Sequence, residues 1–170
     1  MHTEASGKVF ALLDRMGISY NVEHHEAVFT IEDMENLQME HIEKVAKNLF
    51  VRDDRKRNYY LLVIQKDKSA NLKELQHQIG SRRLSFASED DLSKYLGLHK
   101  GEVTPFGVIN DSDNAVTVII DKDLESYDFI GVHPNDNTAT VWIALGDLVK
   151  ALEATKHRAM FIDMAAIASF

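Results

Sequence analysis

The sequence predicts an α+β fold in which a curved, mixed and largely antiparallel sheet is flanked by helices. Apolar residues recur at helical spacing near the N-terminus and again between residues 72 and 97. Segments rich in β-branched and aromatic residues follow one another in the second half, separated by turns such as Asn-Asp-Ser-Asp-Asn at 110–114. Because these later strands are not each followed by a helix, we do not expect a doubly wound parallel sheet.

The N-terminal region should contain two helices joined by an extended segment. Apolar residues repeat at helical spacing up to Met16 and stop at Gly17, as expected of a helix with a glycine just past its end. An extended segment follows at 18–22. Thr30, with Asp33 three residues later, has the pattern of a capping box and predicts the start of a second, short helix.

A hairpin and two further helices are predicted in the middle of the chain. Residues 47–53 and 59–64 are apolar, β-branched or aromatic and are separated by a charged turn, which favours a hairpin. The apolar spacing then predicts one helix that stops at Gly80 and another between Ser88 and Gly97.

The second half should be richer in strands. They are expected at 103–109, 115–120, 129–132 and 138–145. A last helix is predicted around Leu148 and Leu152, and an apolar tail at 160–170 has no predicted conformation. With no repeat and no linker, residues 1–170 are expected to form a single domain.

The composition excludes several classes of chemistry. Cysteine is absent, so disulfides, thiolate nucleophiles and zinc sites with sulfur ligands cannot form. A net charge of −8 argues against a protein that coats DNA or RNA, although it leaves room for a local basic site. There is no apolar run of about 18 residues and no secretory signal pattern, so we expect a cytoplasmic protein without a membrane partner.

Familiar catalytic motifs are missing as well. The sequence has no His-Glu-x-x-His, no nucleophile elbow, no P-loop and no dinucleotide fingerprint. His24 and His25 would point to opposite sides of an extended segment, so the eight histidines do not predict a metal site. We therefore expect no metal and no cofactor.

Three separated segments remain as candidates for chemistry. Lys47-Asn48 opens an apolar strand from which the lysine could reach a pocket, although a single lysine there more often protects an exposed edge. Gly101 and Pro105 delimit a loop whose backbone N–H groups could approach a ligand, but alone they indicate only a turn. His133, fixed by the proline after it, ends a strand, where an isolated histidine is more often structural.

Taken in order, these segments resemble a known family. Residues 27–30 (Ala-Val-Phe-Thr), 47–53 (Lys-Asn-Leu-Phe-Val-Arg-Asp), 101–105 (Gly-Glu-Val-Thr-Pro) and 131–134 (Gly-Val-His-Pro) are similar to bacterial editing domains related to YbaK and to the insertion domain of prolyl-tRNA synthetase. The similarity covers nearly the whole chain and points to the branch of freestanding deacylases of alanyl-tRNA(Pro). It implies a YbaK-like α+β fold.

The resemblance also implies an activity. Members of the family hydrolyse the ester that joins a wrong amino acid to the terminal adenosine of tRNA, with a ribose hydroxyl assisting and no metal. The expected substrate is mischarged tRNA(Pro) carrying alanine, bound at its acceptor end, and prolyl-tRNA synthetase is a candidate partner. Three alternatives stay open: a deacylase for cysteine or for serine and threonine, a non-catalytic module that binds tRNA or a synthetase, and a domain that binds a small molecule.

Site residues follow from the same resemblance. Lys47, Gly101 and His133 are expected to be catalytic; the lysine would anchor a phosphate or stabilise developing negative charge, and the histidine would position substrate or act as a general base. The expected substrate-binding residues are Val28, Phe29, Thr30, Met34, Asn48, Pro105 and Gly131.

Two further assignments rest on residue type. An apolar wall near residue 30 could exclude proline by its size, although each member could equally belong to the core. Its candidates are Val28, Phe29, Ile31 and Met34. Basic residues after the Lys47 strand could contact acceptor-stem phosphates, although a mixed charge run is more often a solvated turn. These are Arg52, Arg55, Lys56 and Arg57.

Overall fold

The computed structural model describes residues 3–164, which form eight strands and five α-helical segments. The strands are β1 Tyr20–His24, β2 Ala46–Asp53, β3 Tyr59–Gln65, β4 Leu84–Phe86, β5 Val116–Asp121, β6 Ile130–Val132, β7 Ala139–Ile143 and β8 Ala159–Ile162. The helices are α1 Glu4–Arg15, α2 Ile31–Asn36, α3 Leu72–Ile79, α4 Glu89–Asp91 and α5 Leu145–Ala154. The longest of them has 12 residues, and none of the described helices has the length and hydropathy needed to cross a membrane.

The strands form two sheets rather than one. A five-stranded sheet has the order β4-β2-β3-β5-β8, and a three-stranded sheet has the order β1-β7-β6. The β3/β5 and β5/β8 pairs are parallel, whereas the other four pairs are antiparallel. The predicted α+β fold with mixed, largely antiparallel pairing and flanking helices is therefore confirmed.

Helix boundaries follow the signals in the sequence. α1 begins after Thr3, whose side chain accepts a hydrogen bond from the Ser6 N–H, and the chain leaves it through Gly17 with a φ of 68°. The predicted capping box is present at α2. The Thr30 hydroxyl accepts from the Asp33 N–H at 3.0 Å, and the Asp33 carboxylate accepts from the Thr30 N–H at 3.2 Å.

β3 lies at the centre of the five-stranded sheet, and both of its faces are buried. Leu61 and Val63 face the larger apolar core, to which α1 and α5 also contribute. Leu62 and Ile64 face a smaller core under α3. Side chains alternate between the faces of a strand, so a strand covered on both sides needs the nearly continuous apolar run seen at 59–64.

The strand expected at 103–109 is wrong, because the segment forms a 3-10 helix, Pro105–Asn110. Pro105 occupies the first helical turn, where its missing N–H is not needed, and the Thr104 hydroxyl accepts from the Phe106 N–H at 3.4 Å. A proline also cannot donate to a β-ladder. The apolar residues of this segment suggested a strand. In the structure they pack inward from the 3-10 helix, and Phe106 lies in the larger core.

The observed elements differ from the predicted ones in three smaller ways. β4 has no counterpart in the predicted elements, because two of its three residues are exposed and give no apolar alternation. The helix expected after Ser88 continues from α4 as a π-helical turn, Leu92–Leu96. The first part of the 160–170 tail belongs to β8, which pairs with β5, and residues 165–170 lie outside the described residues.

Candidate active site

A cavity of about 660 Å³ opens at the edge of β2. β2 pairs with β3 along its length, but on its other side it pairs with β4 only at residues 51–53. Near the start of β2, Val45 forms an isolated parallel bridge with Gly131 of β6, which joins the two sheets. Between this bridge and β4, the edge of β2 has no strand partner within residues 3–164, and the cavity lies in that gap.

The hydrogen-bonding pattern of β2 shows which backbone groups face the cavity. The Asp53 N–H donates to the Asn58 carbonyl on the β3 side at 3.0 Å, whereas the Phe50 carbonyl accepts from the Ala87 N–H on the β4 side at 2.9 Å. Successive residues of an antiparallel strand direct their N–H and C=O groups to alternate sides. Those of Asn48 therefore point into the open edge, so β2 offers the cavity a backbone donor and a backbone acceptor.

The side chain of Asn48 adds a polar group at the same place. Asn48 lines the cavity, and its Oδ1 is buried without a hydrogen-bond partner among the described residues. An unsatisfied buried polar atom costs about 1–3 kcal/mol, and such atoms are uncommon in folded proteins. This amide oxygen is therefore available to a donor on a ligand.

Lys47 precedes Asn48 and also lines the cavity. Its ammonium group donates to the carbonyl oxygen of Lys68 in the segment between β3 and α3. Burial lowers the pKa of Lys47 from its ordinary value, and the negative charge of Asp67 opposes part of that change. A partly desolvated cation interacts more strongly with a negative charge than a solvated one does.

His133 follows β6 and is held in one orientation. Its Nδ1 lies 2.9 Å from the carbonyl oxygen of Ala139, so Nδ1 carries the hydrogen and Nε2 is left as an acceptor. Burial lowers the pKa of His133, which favours the neutral ring. The backbone carbonyl of His133 accepts a hydrogen bond from the Thr104 hydroxyl, which ties the 101–105 loop to the end of β6.

Gly101 and Gly131 each lie where a side chain would collide. Gly101 has a φ of 82°, and a Cβ there would come within 3.0 Å of the Phe29 carbonyl oxygen. A Cβ on Gly131 would approach the Trp142 ring to 2.6 Å, because the two residues are opposite in the β6/β7 register. Glycine thus allows the 101–105 loop to lie against Phe29, and it allows β6 to lie on the indole.

The segment before α2 forms another wall. Val28 and Met34 are buried in a small apolar cluster with Trp142, whereas Phe29 is 56% exposed. The Val28 N–H donates to the Asn137 carbonyl at 3.2 Å, and the Asn137 side chain donates to the Val28 carbonyl at 2.9 Å. The turn between β6 and β7 therefore holds this wall in place.

Most of the residues identified from the sequence line this cavity. They are Val28, Phe29, Thr30, Ile31, Met34, Lys47, Asn48, Gly101, Gly131 and His133. Pro105 is buried at the start of the 3-10 helix, outside the cavity wall. The four basic candidates also lie outside it, at the far end of β2: Arg52, Arg55, Lys56 and Arg57. The Arg52 guanidinium is bound to the Asp91 carboxylate at 2.6 Å.

Other cavity residues were missed by the sequence analysis. They are Val45, Ala46, Leu49, Phe50, Phe86, Ala87, Glu89, Leu92, Lys100, Val103, Val132 and Thr140. Most have no distinctive sequence signal, because they read as ordinary strand or core positions. Phe86 is different: an aromatic residue within the polar run Ser-Arg-Arg-Leu-Ser-Phe-Ala-Ser could have been noticed as an exposed ring.

Comparisons with known proteins show which family this chain is similar to. A model of the family described as the aminoacyl-tRNA editing domain matches residues 25–151. The chain is 46% identical over 164 residues to the prolyl-tRNA editing protein ProX of Acetoanaerobium sticklandii, which covers 96% of this chain and 100% of that protein.

Two more distant similarities agree with this match. The chain is 29% identical over 101 residues to the multifunctional Ser/Thr-tRNA deacylase ProXp-y of Escherichia coli strain K12, covering 58% of this chain and 60% of that protein. It also superposes on the solved structure of a candidate trans-editing enzyme for prolyl tRNA synthetase, with a TM-score of 0.74, 16% identity and coverage of 96% and 98%. At that identity the superposition shows the fold alone.

Proposed function

This chain belongs to the aminoacyl-tRNA editing domain family, and on that premise we propose that its cavity removes a wrongly attached amino acid from tRNA. The resemblance seen in the sequence is thereby confirmed. The substrate that we propose is Ala-tRNA(Pro), because the 46% identical relative matched over its whole length is a prolyl-tRNA editing protein.

One observation carries the proposal. The unpaired edge of β2 and the residues expected to be catalytic, Lys47, Gly101 and His133, meet in one cavity although they are far apart in the sequence. This places a cation, an imidazole acceptor and backbone hydrogen-bonding groups around a space of about 660 Å³. Such a space accommodates an aminoacylated ribose as well as the amino acid.

The reaction is the hydrolysis of an ester. Water adds to the carbonyl carbon, and the carbonyl oxygen becomes the oxyanion of a tetrahedral intermediate. Collapse of the intermediate breaks the bond to the ribose oxygen, which takes a proton. The products are the free amino acid and tRNA with both terminal hydroxyls. No bond to the protein forms, and a neighbouring hydroxyl of the terminal ribose assists the attacking water.

Groups on the cavity wall meet the needs of this reaction. The Asn48 N–H donates to the developing oxyanion. The Lys47 ammonium stabilises negative charge, either on the terminal phosphate or on the oxyanion. The Nε2 of His133 accepts a hydrogen bond from the attacking water and orients it. Pro105 acts through the loop that it ends, because it does not reach the cavity.

The ammonium group of the amino acid also needs partners. The buried Oδ1 of Asn48 is one acceptor, and the carboxylate of Glu89 on the same cavity wall supplies a negative charge. Proline differs from alanine in carrying a ring that needs more room. We assign its exclusion to Val28 and Met34, which are buried, and leave Phe29 to the cavity mouth, where it is 56% exposed.

The rest of the tRNA lies outside the cavity. Its acceptor stem is proposed to lie along the exposed turn of Arg55, Lys56 and Arg57, whereas Arg52 is already paired with Asp91. Prolyl-tRNA synthetase, which makes the substrate, is the proposed protein partner. We place the reaction in the cytoplasm because its substrate is made and used in translation.

The decisive experiment is a panel of charged tRNAs. The purified protein is incubated with tRNA(Pro) carrying alanine, cysteine, serine, threonine or proline, and release of each labelled amino acid is followed against spontaneous hydrolysis. We expect alanine to be released and proline to be retained. Release of cysteine, or of serine and threonine, would keep the reaction but change the substrate.

Binding distinguishes the remaining alternatives. Tight binding of charged tRNA without release of any amino acid by folded protein would contradict the enzyme assignment in favour of a binding module. If charged tRNA neither binds nor loses its amino acid, the cavity serves a small molecule unrelated to translation. Uncharged tRNA(Pro) is the control for contacts that do not involve the ester.

A further inference from the structure

We propose that Phe86 is a stacking site for an unpaired base at the 3′ end of the tRNA substrate, where it guides the strand from the cavity to the basic turn. This inference rests on the proposed function. It assigns a surface of this chain to single-stranded RNA, which neither the family match nor the relatives' names describe.

The exposure of Phe86 is unusual for this protein. Three large apolar side chains of the described residues are exposed: Phe29 at 56%, Phe86 at 61% and Met160 at 43%. Two of the three are aromatic, and both of these line the same cavity. An aromatic ring held in solvent at the mouth of a binding cavity is typical of a platform for a flat ligand such as a base.

The strand register places Phe86 on the face of the sheet to which Lys47 belongs. Phe86 is directly opposite Val51 in the β2/β4 pairing, so their side chains share a face. Residues at intervals of two along a strand also share a face, which adds Leu49 and then Lys47. Val51 is four residues after Lys47, which corresponds to about 13 Å at roughly 3.3 Å per residue.

The distance along β2 between Lys47 and Val51 allows two different parts of the substrate to bind at Lys47 and at Phe86. A phosphate or ester held near Lys47 lies within the cavity, whereas Phe86 lies farther along β2, on an exposed part of the cavity wall. An unpaired base attached to the same strand can reach it. The tRNA 3′ end is single-stranded, so its bases have free faces for stacking.

Beyond Phe86, the same edge becomes basic. Leu84 pairs with Asp53, which brings the start of β4 beside the turn that follows β2. Arg83 is exposed there, and the turn itself exposes Arg55, Lys56 and Arg57. Arg82 is partly neutralised, because its guanidinium binds Asp54 at 2.6 Å. A row of cations next to an aromatic ring is the combination that binds single-stranded nucleic acid.

The charge distribution also explains why an acidic protein can bind RNA here. The chain has a net charge of −8, so nonspecific attraction to phosphates is weak. Stacking does not depend on net charge. A ring close to the cavity therefore supplies affinity for the end of the strand, while few phosphate contacts are needed.

The test replaces Phe86 and measures KM and kcat for Ala-tRNA(Pro) deacylation separately. Phe86→Leu keeps an apolar side chain but removes the ring, and loss of one stacked base should raise KM about 5- to 100-fold with kcat nearly unchanged. Phe86→Tyr keeps the ring and should restore the KM. Met160→Leu is the matched control, because Met160 is also exposed but lies in β8 and does not line the cavity.

A spectroscopic measurement is independent of turnover. An RNA hairpin that ends in unpaired CCA, with 2-aminopurine replacing its last base, should change fluorescence on binding the parent protein and the Tyr variant. It should change much less with the Leu variant. Melting temperatures of all variants should match, because the replaced side chains are exposed.

Failure of this inference is distinct from failure of the proposed function. If the parent protein releases alanine and Phe86→Leu leaves both KM and the fluorescence change intact, the stacking site is wrong and the deacylase stands. If the parent protein releases no amino acid, the proposed function fails. A fluorescence change that is equal in parent and Leu variant overturns the stacking site in either case.

Discussion

His133 illustrates how one hydrogen bond and burial determine the state of a side chain on the cavity wall. Its Nδ1 hydrogen is occupied by the Ala139 carbonyl, so only Nε2 is left for the cavity. Burial, with a smaller contribution from the charge of His25, lowers its pKa against the opposing effects of the hydrogen bond to Ala139 and the charge of Asp136. A neutral ring in a fixed tautomer accepts a hydrogen bond from water without competing for the phosphate.

The lowered pKa of His133 predicts the pH dependence of the reaction. An ordinary histidine titrates near 6.5, and the folded protein must be taken to a lower pH before this ring gains a proton. We expect the pH at which the deacylation rate, corrected for spontaneous hydrolysis, falls to half of its plateau to lie below 6.5. His133→Gln should lose this acidic decline and have a lower plateau.

The same pKa shift affects stability with a defined sign. As pH falls through 6.5, the unfolded chain takes up the proton before the folded chain does, so the free energy of unfolding decreases.

Loss of half the deacylation rate at or above pH 6.5, in protein that remains folded, would contradict the assignment of neutral His133 to the reaction.

Met34 tests the assignment of the selective wall. Met34→Ala should enlarge the site beside Val28 and raise the cleavage of Pro-tRNA(Pro) relative to Ala-tRNA(Pro) by about tenfold. The matched control is Leu75→Ala, since Leu75 is 4% exposed against 3% for Met34 but lies in the smaller core. Both changes should destabilise the protein by about 2–5 kcal/mol. Equal selectivity in the two variants would remove Met34 from the wall.

At the scale of elements, the site depends on the part of the β2 edge that has no strand partner among the described residues. The hairpin of β2 and β3 was predictable because β-branched and aromatic residues flank a charged turn. The open edge was not, since it depends on β4, which has only three residues, and on one bridge between Val45 and Gly131. Periodicity reports which face of a strand is buried and contains no information about its lateral neighbour.

The helix signals were more informative than the strand signals. Thr30 with Asp33 and the glycines at 17, 80 and 97 act through adjacent residues, so their structural result can be read locally. Thr104-Pro105 is also a local signal for the start of a helix, whereas the strand predicted at 103–109 rested on the apolar residues around it. The strand predicted there failed for that reason.

The Lys47, Gly101 and His133 positions were found through their joint order along the chain. Each position alone is compatible with an ordinary strand end or turn. Phe86 and Glu89 were not found, because they reach the cavity only through the packing of β4 and α4 beside β2. Residues that act through tertiary position leave no spacing pattern in a single sequence.

Gly131 tests the junction between the two sheets. Gly131→Ala would place a Cβ 2.6 Å from the Trp142 ring, so we expect a loss of about 1–3 kcal/mol in stability and a displaced bridge to Val45. Deacylation should fall as well, because the bridge borders the cavity. Gly7→Ala is the control: Gly7 is within α1, and a Cβ there meets nothing within 4 Å.

The Gly7→Ala control is expected to change stability in the opposite direction. Alanine is favoured over glycine inside a helix by about 0.5–1 kcal/mol, so Gly7→Ala should raise the melting temperature and leave the rate unchanged. Thermal unfolding of both variants in parallel measures the difference. A Gly131→Ala protein as stable and as active as the parent would show that the junction tolerates the side chain.

At the scale of the whole molecule, a buried pair outside the cavity wall links the segments that precede the neighbouring strands β5 and β8. The Asp111 carboxylate accepts from the Ala115 and Val116 N–H groups at 3.1 and 2.8 Å and lies 2.8 Å from Nε2 of His157. These contacts connect the start of β5 with the segment between α5 and β8. We assign them to stability, since neither Asp111 nor His157 lines the cavity.

Asp111→Ala should therefore lower stability without altering catalysis. Leaving buried donors unsatisfied should cost about 2–4 kcal/mol, since each such donor costs about 1–3 kcal/mol. Asp128→Ala is the control, because the Asp128 side chain is 74% exposed and its pair with Lys44 should contribute little. Urea unfolding should show one transition in each protein, as expected of a single domain, and the rate at low temperature should be that of the parent.

We propose that the cavity at the open edge of β2 removes alanine from tRNA(Pro) with the help of Lys47. The most direct measurement compares release of alanine and proline from Ala-tRNA(Pro) and Pro-tRNA(Pro) by the parent protein, Lys47→Ala and Lys150→Ala. Lys150 is a matched lysine on α5 with a side chain that is 69% exposed. The account predicts that the parent and Lys150→Ala release alanine and retain proline, and that Lys47→Ala is slower by about 100-fold or more. Folded parent protein that releases no alanine, or a Lys47→Ala protein that releases it at the full rate, would contradict the account.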